Sequence, residues 1–140
     1  MNVKVKDLMV KQVVSAPPET TVAEARKLME EKGFHALPVL DSEDRPLGII
    51  TSHDLLADVD PASPISELMT EKVYTVNTYD DAHVPARVMR NHRIHRVIVT
   101  HEKKVVGILS AYDLLKLVED HRYVAKNPPT KSKRKGSKRQ

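Results

Sequence analysis

One pattern appears twice in a chain of 140 residues. Residues Gly48 to Leu56 read GIITSHDLL, and Gly107 to Leu115 read GILSAYDLL. Upstream, a shift of 60 residues lays Leu8 and Met9 on Leu68 and Met69, Val13 on Val73, Met29 on Met89, His35 on His95 and Val39 on Val99. After a one-residue deletion in a turn, the shift becomes 59 and the two nine-residue patterns coincide. A fixed internal period restricts the fold more than any composition does, because each copy must be one supersecondary unit. The copies are taken as residues 1–62 and 63–123. A unit of about 60 residues is too small for a good core of its own. Two units sharing a core, their sheets packed around a pseudo-two-fold axis, meet that requirement.

Each copy reads as strand, helix, strand, strand, helix, an α+β unit. In the first, a short strand near Val13–Ala16 precedes the turn PPETT. A helix follows over TVAEARKLMEEKG, with Thr21 and Glu24 as a capping box and Gly33 as its stop. Val22, Ala25, Leu28 and Met29 share its apolar face. ALPVL and LGII are short strands joined by the polar turn DSEDRP, and a last helix starts at TSHDLL. The second copy repeats the order through VYTV, VMRNH, RVIVT, VVGIL and SAYDLLKLV. Pro85 breaks the parallel. With Asp81 as N-cap, Pro85 takes the fourth helical position and lacks the first hydrogen-bond donor, so that helix begins late or kinks.

Composition narrows the class. The chain has no Cys, no Trp and one Phe, so the core must be aliphatic and thiolate metal sites are excluded. Absence of Cys fits a cytoplasmic protein. The opening MNVKVKDLMV has no apolar run of the signal-peptide kind, and no stretch approaches the length of a membrane span. The net charge of +4 hides a division. Residues 126–140 hold seven of the 23 Lys and Arg and none of the 19 acids, which leaves 16 against 19 elsewhere. The body is mildly acidic. Residues 124–140 are expected to be a disordered basic tail.

The doubled pattern has two readings. In the first it is local architecture. Thr51 and Ser110 cap helices, and Asp54 and Asp113, three residues on, reach back to the cap N–H. Gly48 and Gly107 let a strand pass close to a neighbour. Asp is shorter than Glu, however, and should close such a box less well. In the second reading it is a site. A helix start offers N–H donors and a positive dipole end to an anion. A hydroxyl there can bond a phosphate, and a carboxylate one turn on can accept a ribose diol. Periodicity alone favours the caps.

The doubled unit resembles the CBS domain (named for cystathionine β-synthase), and the pair resembles a Bateman module, over about residues 5–120. The carriers are KDLM…VVSAPPETTVAEARKLMEEKGFHALPVLDSEDRPLGIITSHDLL and SELM…VYTVNTYDDAHVPARVMRNHRIHRVIVTHEKKVVGILSAYDLL. The second copy departs at Pro85, and has Ile98 where the first has Pro38. The resemblance implies a non-catalytic regulatory module binding an adenosine-containing ligand, such as AMP, ADP, ATP, S-adenosylmethionine or a dinucleotide, in clefts between the units. It implies Asp54 and Asp113 on ribose, and Thr51 and Ser110 on phosphate, with His53 and Tyr112 beside them. It implies walls for the base from Ser15 to Pro17 and Thr75 to Asn77, and from His35 to Leu37 and His95 to Val97, with Arg96 among them. It also implies a homodimer.

Charge differs between the copies. Arg87, Arg90, Arg93, Arg96, His92 and His95 cluster in the second. Arg87 and Arg90 suit a solvated helix face, whereas Arg93 and Arg96 are better phosphate candidates, which gives the second copy the stronger preference for phosphate. The spacing of His92 and His95 invites a metal reading, but the helix should end between them, so no metal is expected. No G-x-S-x-G or P-loop is present, and Asp54 and Asp113 lie in separate copies, so no enzyme activity is expected. Two alternatives stand beside the ligand sensor. One is a ligand-free dimerisation scaffold. The other is weak, salt-sensitive contact of the tail with nucleic acid or another polyanion. An effector protein is a further possible partner.

Overall fold

A computed structural model describes residues 3–11, 14–56 and 58–121. The basic tail at 124–140, and Val13 of the expected first strand, lie outside the described residues.

In the first unit, helix α2 (Val22–Lys32) is bounded as its sequence dictates. Thr21 Oγ1 accepts from the Glu24 N–H at 3.1 Å, and Glu24 accepts from the Thr21 N–H at 2.9 Å. Gly33 ends the helix at φ 71°, where an L side chain is strained. Strands β1 (Ala36–Leu40) and β2 (Pro46–Thr51) form an antiparallel hairpin. Of the expected first strand, the described residues show one parallel bridge, Ala16 to Val39. The expected last helix is a single 3-10 turn, Asp54–Leu56. The segment Asp58-Val59-Asp60-Pro61 supplies the reason: the pre-proline residue avoids the helical region, and Asp and Val are poor helix formers.

The second unit keeps more regular structure. Strand β3 (Thr75–Asn77) pairs parallel with β4 (Arg96–His101), and β4 pairs antiparallel with β5 (Lys104–Ser110). Helix α4 (Ala111–His121) runs for eleven residues, since Asp120 stands where the first copy has Pro61. Helix α3 (His83–His92) begins late, as Pro85 requires. Starting at His83 puts Pro85 third in the helix, where its missing N–H would be unpaired anyway. Asp81 does not cap with its side chain; its Oδ1 lies 2.6 Å from Lys4 Nζ.

The ends of the repeats cross over. Helix α1 (Val5–Leu8) docks on the second unit, with Val5 and Lys6 donating backbone bonds to Asp80 and Thr78 at 2.9 and 3.0 Å. The equivalent 3-10 turn Ile65–Glu67 docks on the first, where Ile65 donates to Thr20 at 2.8 Å. Val5 is fully buried with Val76, Met89, Val97, Val99 and Leu109. Ile65 is fully buried with Val22, Ala25, Met29, Leu37, Val39 and Ile50. Each such side chain contributes about 1.5–3 kcal/mol by burial.

The crossing chains explain the two glycines of the repeated pattern. Ile49 exchanges backbone hydrogen bonds with Thr70, and Val10 does so with Ile108. A Cβ on Gly48 would stand 2.7 Å from both Met69 Sδ and the Thr70 carbonyl oxygen. On Gly107 it would stand 2.8 Å from Met9 Sδ and from the Val10 carbonyl oxygen. The close passage of a strand expected from sequence is present at both.

Candidate functional site

A cleft of about 170 Å³ opens between the two units. Ile49 and Thr51 reach it from β2. Thr70, Lys72, Val73 and Tyr74 come from the segment leading to β3, and Ile94, His95, Arg96 and Ile98 from the turn into β4. Thr51 belongs to the first copy, and His95 and Arg96 to the second. No carboxylate is among these ten residues, and neither Lys72 nor Arg96 makes an ion pair among the described residues. The cleft lining is mainly apolar and includes two cationic side chains, Lys72 and Arg96.

The start of each final turn or helix is a closed capping box. Asp54 Oδ2 accepts from the Thr51 N–H at 2.8 Å and from Thr51 Oγ1 at 2.9 Å, while the Asp54 N–H donates back to Oγ1 at 3.2 Å. In the second copy Asp113 Oδ2 accepts from the Ser110 N–H at 2.9 Å, and the Asp113 N–H donates to Ser110 Oγ at 3.1 Å. Asp closes both boxes as well as Glu24 closes its own, contrary to the expectation from its length. Thr51 lines the cleft, so the Asp54 carboxylate stands one hydrogen bond behind the cleft wall.

The remaining candidates spread more widely. His35 and His95 occupy matching places: the Ser52 N–H donates to the His35 carbonyl, and the Ala111 N–H to that of His95, each at 2.8 Å. His35 also borders a surface depression with Arg26, Met29, Phe34 and Leu55. Ser15 and Pro17 line a depression over α2, with Glu24 and Lys27. Thr75 and Asn77 line another with Arg45 and Lys103. None of His35, Ser15, Pro17, Thr75 and Asn77 lines the inter-unit cleft. His53 is exposed, and Tyr112 is 80% exposed on α4. Of the basic cluster, Arg87, Arg90 and Arg93 are exposed, and Arg96 alone among the four arginines lines the cleft. His92 stacks on Tyr74 with ring centroids 4.1 Å apart. Among the described residues, no group of three or more His, Asp or Glu could hold a metal ion, and no helix is long and apolar enough to cross a membrane.

Sequence reasoning named Thr75–Asn77 as a wall, whereas the inter-unit cleft is lined by Val73 and Tyr74 just upstream and Thr75 and Asn77 line a separate depression. It passed over Lys72 and Thr70 altogether. The signal was available in Thr70, which follows the repeated Leu-Met pair and so marks where the chain recrosses β2.

The model of the CBS domain matches the chain twice, at residues 5–60 and 65–120. The chain belongs to the CBS domain family. It is a tandem CBS pair of the α+β class. It is 32% identical over 114 residues to the inosine-5'-monophosphate dehydrogenase of Methanocaldococcus jannaschii, a match covering 81% of this chain and 23% of that protein. The chain thus spans under a quarter of that relative's length. Its fold superposes on the CBS domain pair of protein MJ0100 in complex with 5-methylthioadenosine and S-adenosyl-L-methionine, with a TM-score of 0.77 and 28% identity over 86% of this chain and 99% of that one. It also superposes on the cytosolic domain of the Mg2+ channel MgtE in complex with ATP, with a TM-score of 0.73 and 26% identity over 81% of this chain and 48% of that one.

Proposed function

We propose that this CBS pair is a non-catalytic sensor that binds an adenosine-containing ligand between its units and passes the bound state to a partner protein. The observation that carries the reading is the inter-unit cleft, with Thr51 from one copy facing His95 and Arg96 from the other and no carboxylate among its lining residues. Ile49, Val73, Ile94 and Ile98 provide apolar surface for a base. At about 170 Å³ the cleft is smaller than the roughly 300 Å³ typical of the smallest ligand pockets. It takes a base and part of a sugar, and the remainder of the ligand lies at its mouth. The ligands of MJ0100 and MgtE support an adenosyl compound, with AMP, ADP, ATP and S-adenosylmethionine as candidates. Ligand binding between two units changes how they sit together, which is what a partner would read.

The sensor acts as a homodimer in this reading. Tyr112, Leu115 and Val118 form an exposed apolar stripe on α4, 80%, 59% and 64% accessible, and Leu56 repeats the Leu115 position in the first copy. Such a stripe suits a second copy of the chain.

A second reading draws on the closed capping boxes. If Asp54 and Asp113 serve only as caps, the pair is a ligand-free scaffold. Thermal melts with AMP, ADP, ATP and S-adenosylmethionine separate the two, because a ligand that binds only the folded state raises the melting temperature. The sensor requires one adenosyl compound to raise it in the wild type and fail to do so in Asp54→Ala or Asp113→Ala that remains folded. Variants that melt earlier, by roughly 1 kcal/mol of lost capping each, with no ligand response in the wild type, establish the scaffold.

A further inference from the structure

The inter-unit cleft is one end of a longer seam. Strand β2 gives Ile49 and Thr51 to the cleft, and Pro46 to the depression that Thr75 and Asn77 also line. Strand β4 likewise gives Arg96 and Ile98 to the cleft and Thr100 to the depression. At the depression end, the turn of one hairpin meets the start of β5 in the other. Among the described residues, one hydrogen bond joins the two hairpins directly: the Val105 N–H donates to the Asp44 carbonyl at 2.9 Å.

Asp41 holds that carbonyl in place. Its Oδ1 accepts from the N–H groups of Glu43 and Arg45 at 2.8 and 2.9 Å, and its Oδ2 accepts from Arg45 Nε at 2.9 Å. The Asp44 N–H donates to the Asp41 carbonyl at 3.1 Å, and the Asp41 N–H to the Arg45 carbonyl at 2.9 Å. An Asp side chain that bonds the backbone two residues on fixes a turn in this way. Asp44 itself stands at φ 64°, a state that a short polar side chain tolerates.

The other edge of the pair lacks this bond. The shift of 59 lays Pro46 on Val105, and proline has no N–H to give. The second hairpin is also a residue shorter at its tip, where Glu102 and Lys103, at φ 52° and 70°, close a two-residue turn.

We propose that the turn 41–45 is a one-sided clasp that sets how far the inter-unit cleft opens, with Asp41 as its positioning residue. Strands β2 and β4 each belong to an antiparallel hairpin, so fixing the turn end of the seam limits the spacing at the cleft end. The clasp does not depend on what the cleft binds.

The test reads the bond and the spacing separately in the full chain. Amide hydrogen exchange by NMR should show the Val105 N–H protected in the wild type. In Asp41→Ala its protection should fall about 2- to 10-fold, the range of one net hydrogen bond. The Ile108 N–H, bonded to the Val10 carbonyl at 3.0 Å, should keep its protection, which general loosening of the fold would not allow. Asp41→Asn keeps the Oδ1 acceptor and should behave as wild type. Val105→Pro removes the donor itself and serves as a second, independent cut. The chain has no Cys, so Ser52→Cys and Asn91→Cys, at exposed positions beside Thr51 and ahead of Ile94, can carry a pair of spin labels. Their separation should lengthen in Asp41→Ala and in Val105→Pro, and stay as in the wild type in Asp41→Asn. An unprotected Val105 amide in the wild type overturns the proposal. So does a label separation unchanged by both cuts, or an Asp41→Asn protein that matches Asp41→Ala. Calorimetry with ATP adds the functional readout: Asp41→Ala should change its affinity and Asp41→Asn should not. A wild type that binds neither ATP nor S-adenosylmethionine overturns the adenosyl-sensor reading, while the label separation still decides the clasp.

Discussion

Replacing Gly48 by Ala tests the crossing of the two units at its narrowest point. The added Cβ would meet Met69 Sδ and the Thr70 carbonyl oxygen, both at 2.7 Å, and ordinary Cβ contacts do not come that near. The sulfur ends a flexible side chain and can give way. The carbonyl cannot move alone, because it accepts from the Ile49 N–H at 3.0 Å while the Thr70 N–H donates to the Ile49 carbonyl at 2.9 Å. Opening that pair forfeits two hydrogen bonds of about 0.5–1.5 kcal/mol each. Overpacking of the methionine adds about 1 kcal/mol. Against this, Ala restricts the unfolded chain and returns about 0.4–1 kcal/mol. The net loss is about 2 kcal/mol, or roughly 8 °C in melting temperature for a domain of this size. Urea unfolding followed by circular dichroism measures it. Adding Met69→Ala should recover only the sulfur part, so a double-mutant cycle should leave most of the loss in place. Gly107→Ala should behave alike, since its Cβ meets Met9 and Val10 at 2.8 Å. Gly33→Ala is the contrast: nothing lies within 4 Å, and only the left-handed backbone penalty of about 1–2 kcal/mol applies. A Gly48→Ala protein within about 0.5 kcal/mol of wild type, below the range of the lost bonds, would refute the account of why the pattern begins with glycine.

Other outcomes follow from the same geometry. Arg93 ends α3 at φ 55°, where the first copy has Gly33, so Arg93→Gly should raise stability by about 1 kcal/mol in the same urea assay. The carboxyl of Glu24 is held below its ordinary 4.5 by the backbone hydrogen bond from Thr21, and Asp41 below 3.8 by that from Arg45. Asp81 is likewise held below 3.8, by the hydrogen bond and charge of Lys4. A depressed folded-state value gives stability that is present above the unfolded value and lost as pH falls through the folded one. Melting temperature should therefore drop as pH falls below about 4.5, and Glu24→Gln should flatten part of that slope. Leu115→Glu places a charge in the exposed α4 stripe; light scattering should show a shift from dimer to monomer with the melting temperature nearly unchanged.

Local chemistry was legible in the sequence wherever the partners are close in the chain. The Thr21–Glu24 box, the Gly33 stop, the late start imposed by Pro85 and both hairpins follow from residues within a few positions. Less legible was how far each element extends. The helix expected after Thr51 stops at Leu56 because Pro61 and its neighbours outweigh the apolar pattern that the two copies share. The crossing of α1 to the second unit was not legible at all. Val5 has the same local pattern whether it docks on its own copy or the other, and only three-dimensional packing decides. The cleft inherits that gap. Lys72 and Tyr74 enter it because Thr70 pairs with β2 of the first unit, which pulls the following residues between the units. Arg96 was legible from its place at the head of β4, next to the histidine that repeats in both copies.

Because Val5 completes the second unit's core and Ile65 the first's, neither half is finished until the other has been made. During synthesis, a chain stopped before residue 65 lacks the side chain that seals its own first unit. The buried Val5 meanwhile has no core to enter until β4 and β5 have left the ribosome. The module therefore assembles late and as a whole. Two fragments cut between the copies, at residues 60–62, are each missing a plug that the other fragment carries, so they should associate when mixed and be poorly folded apart.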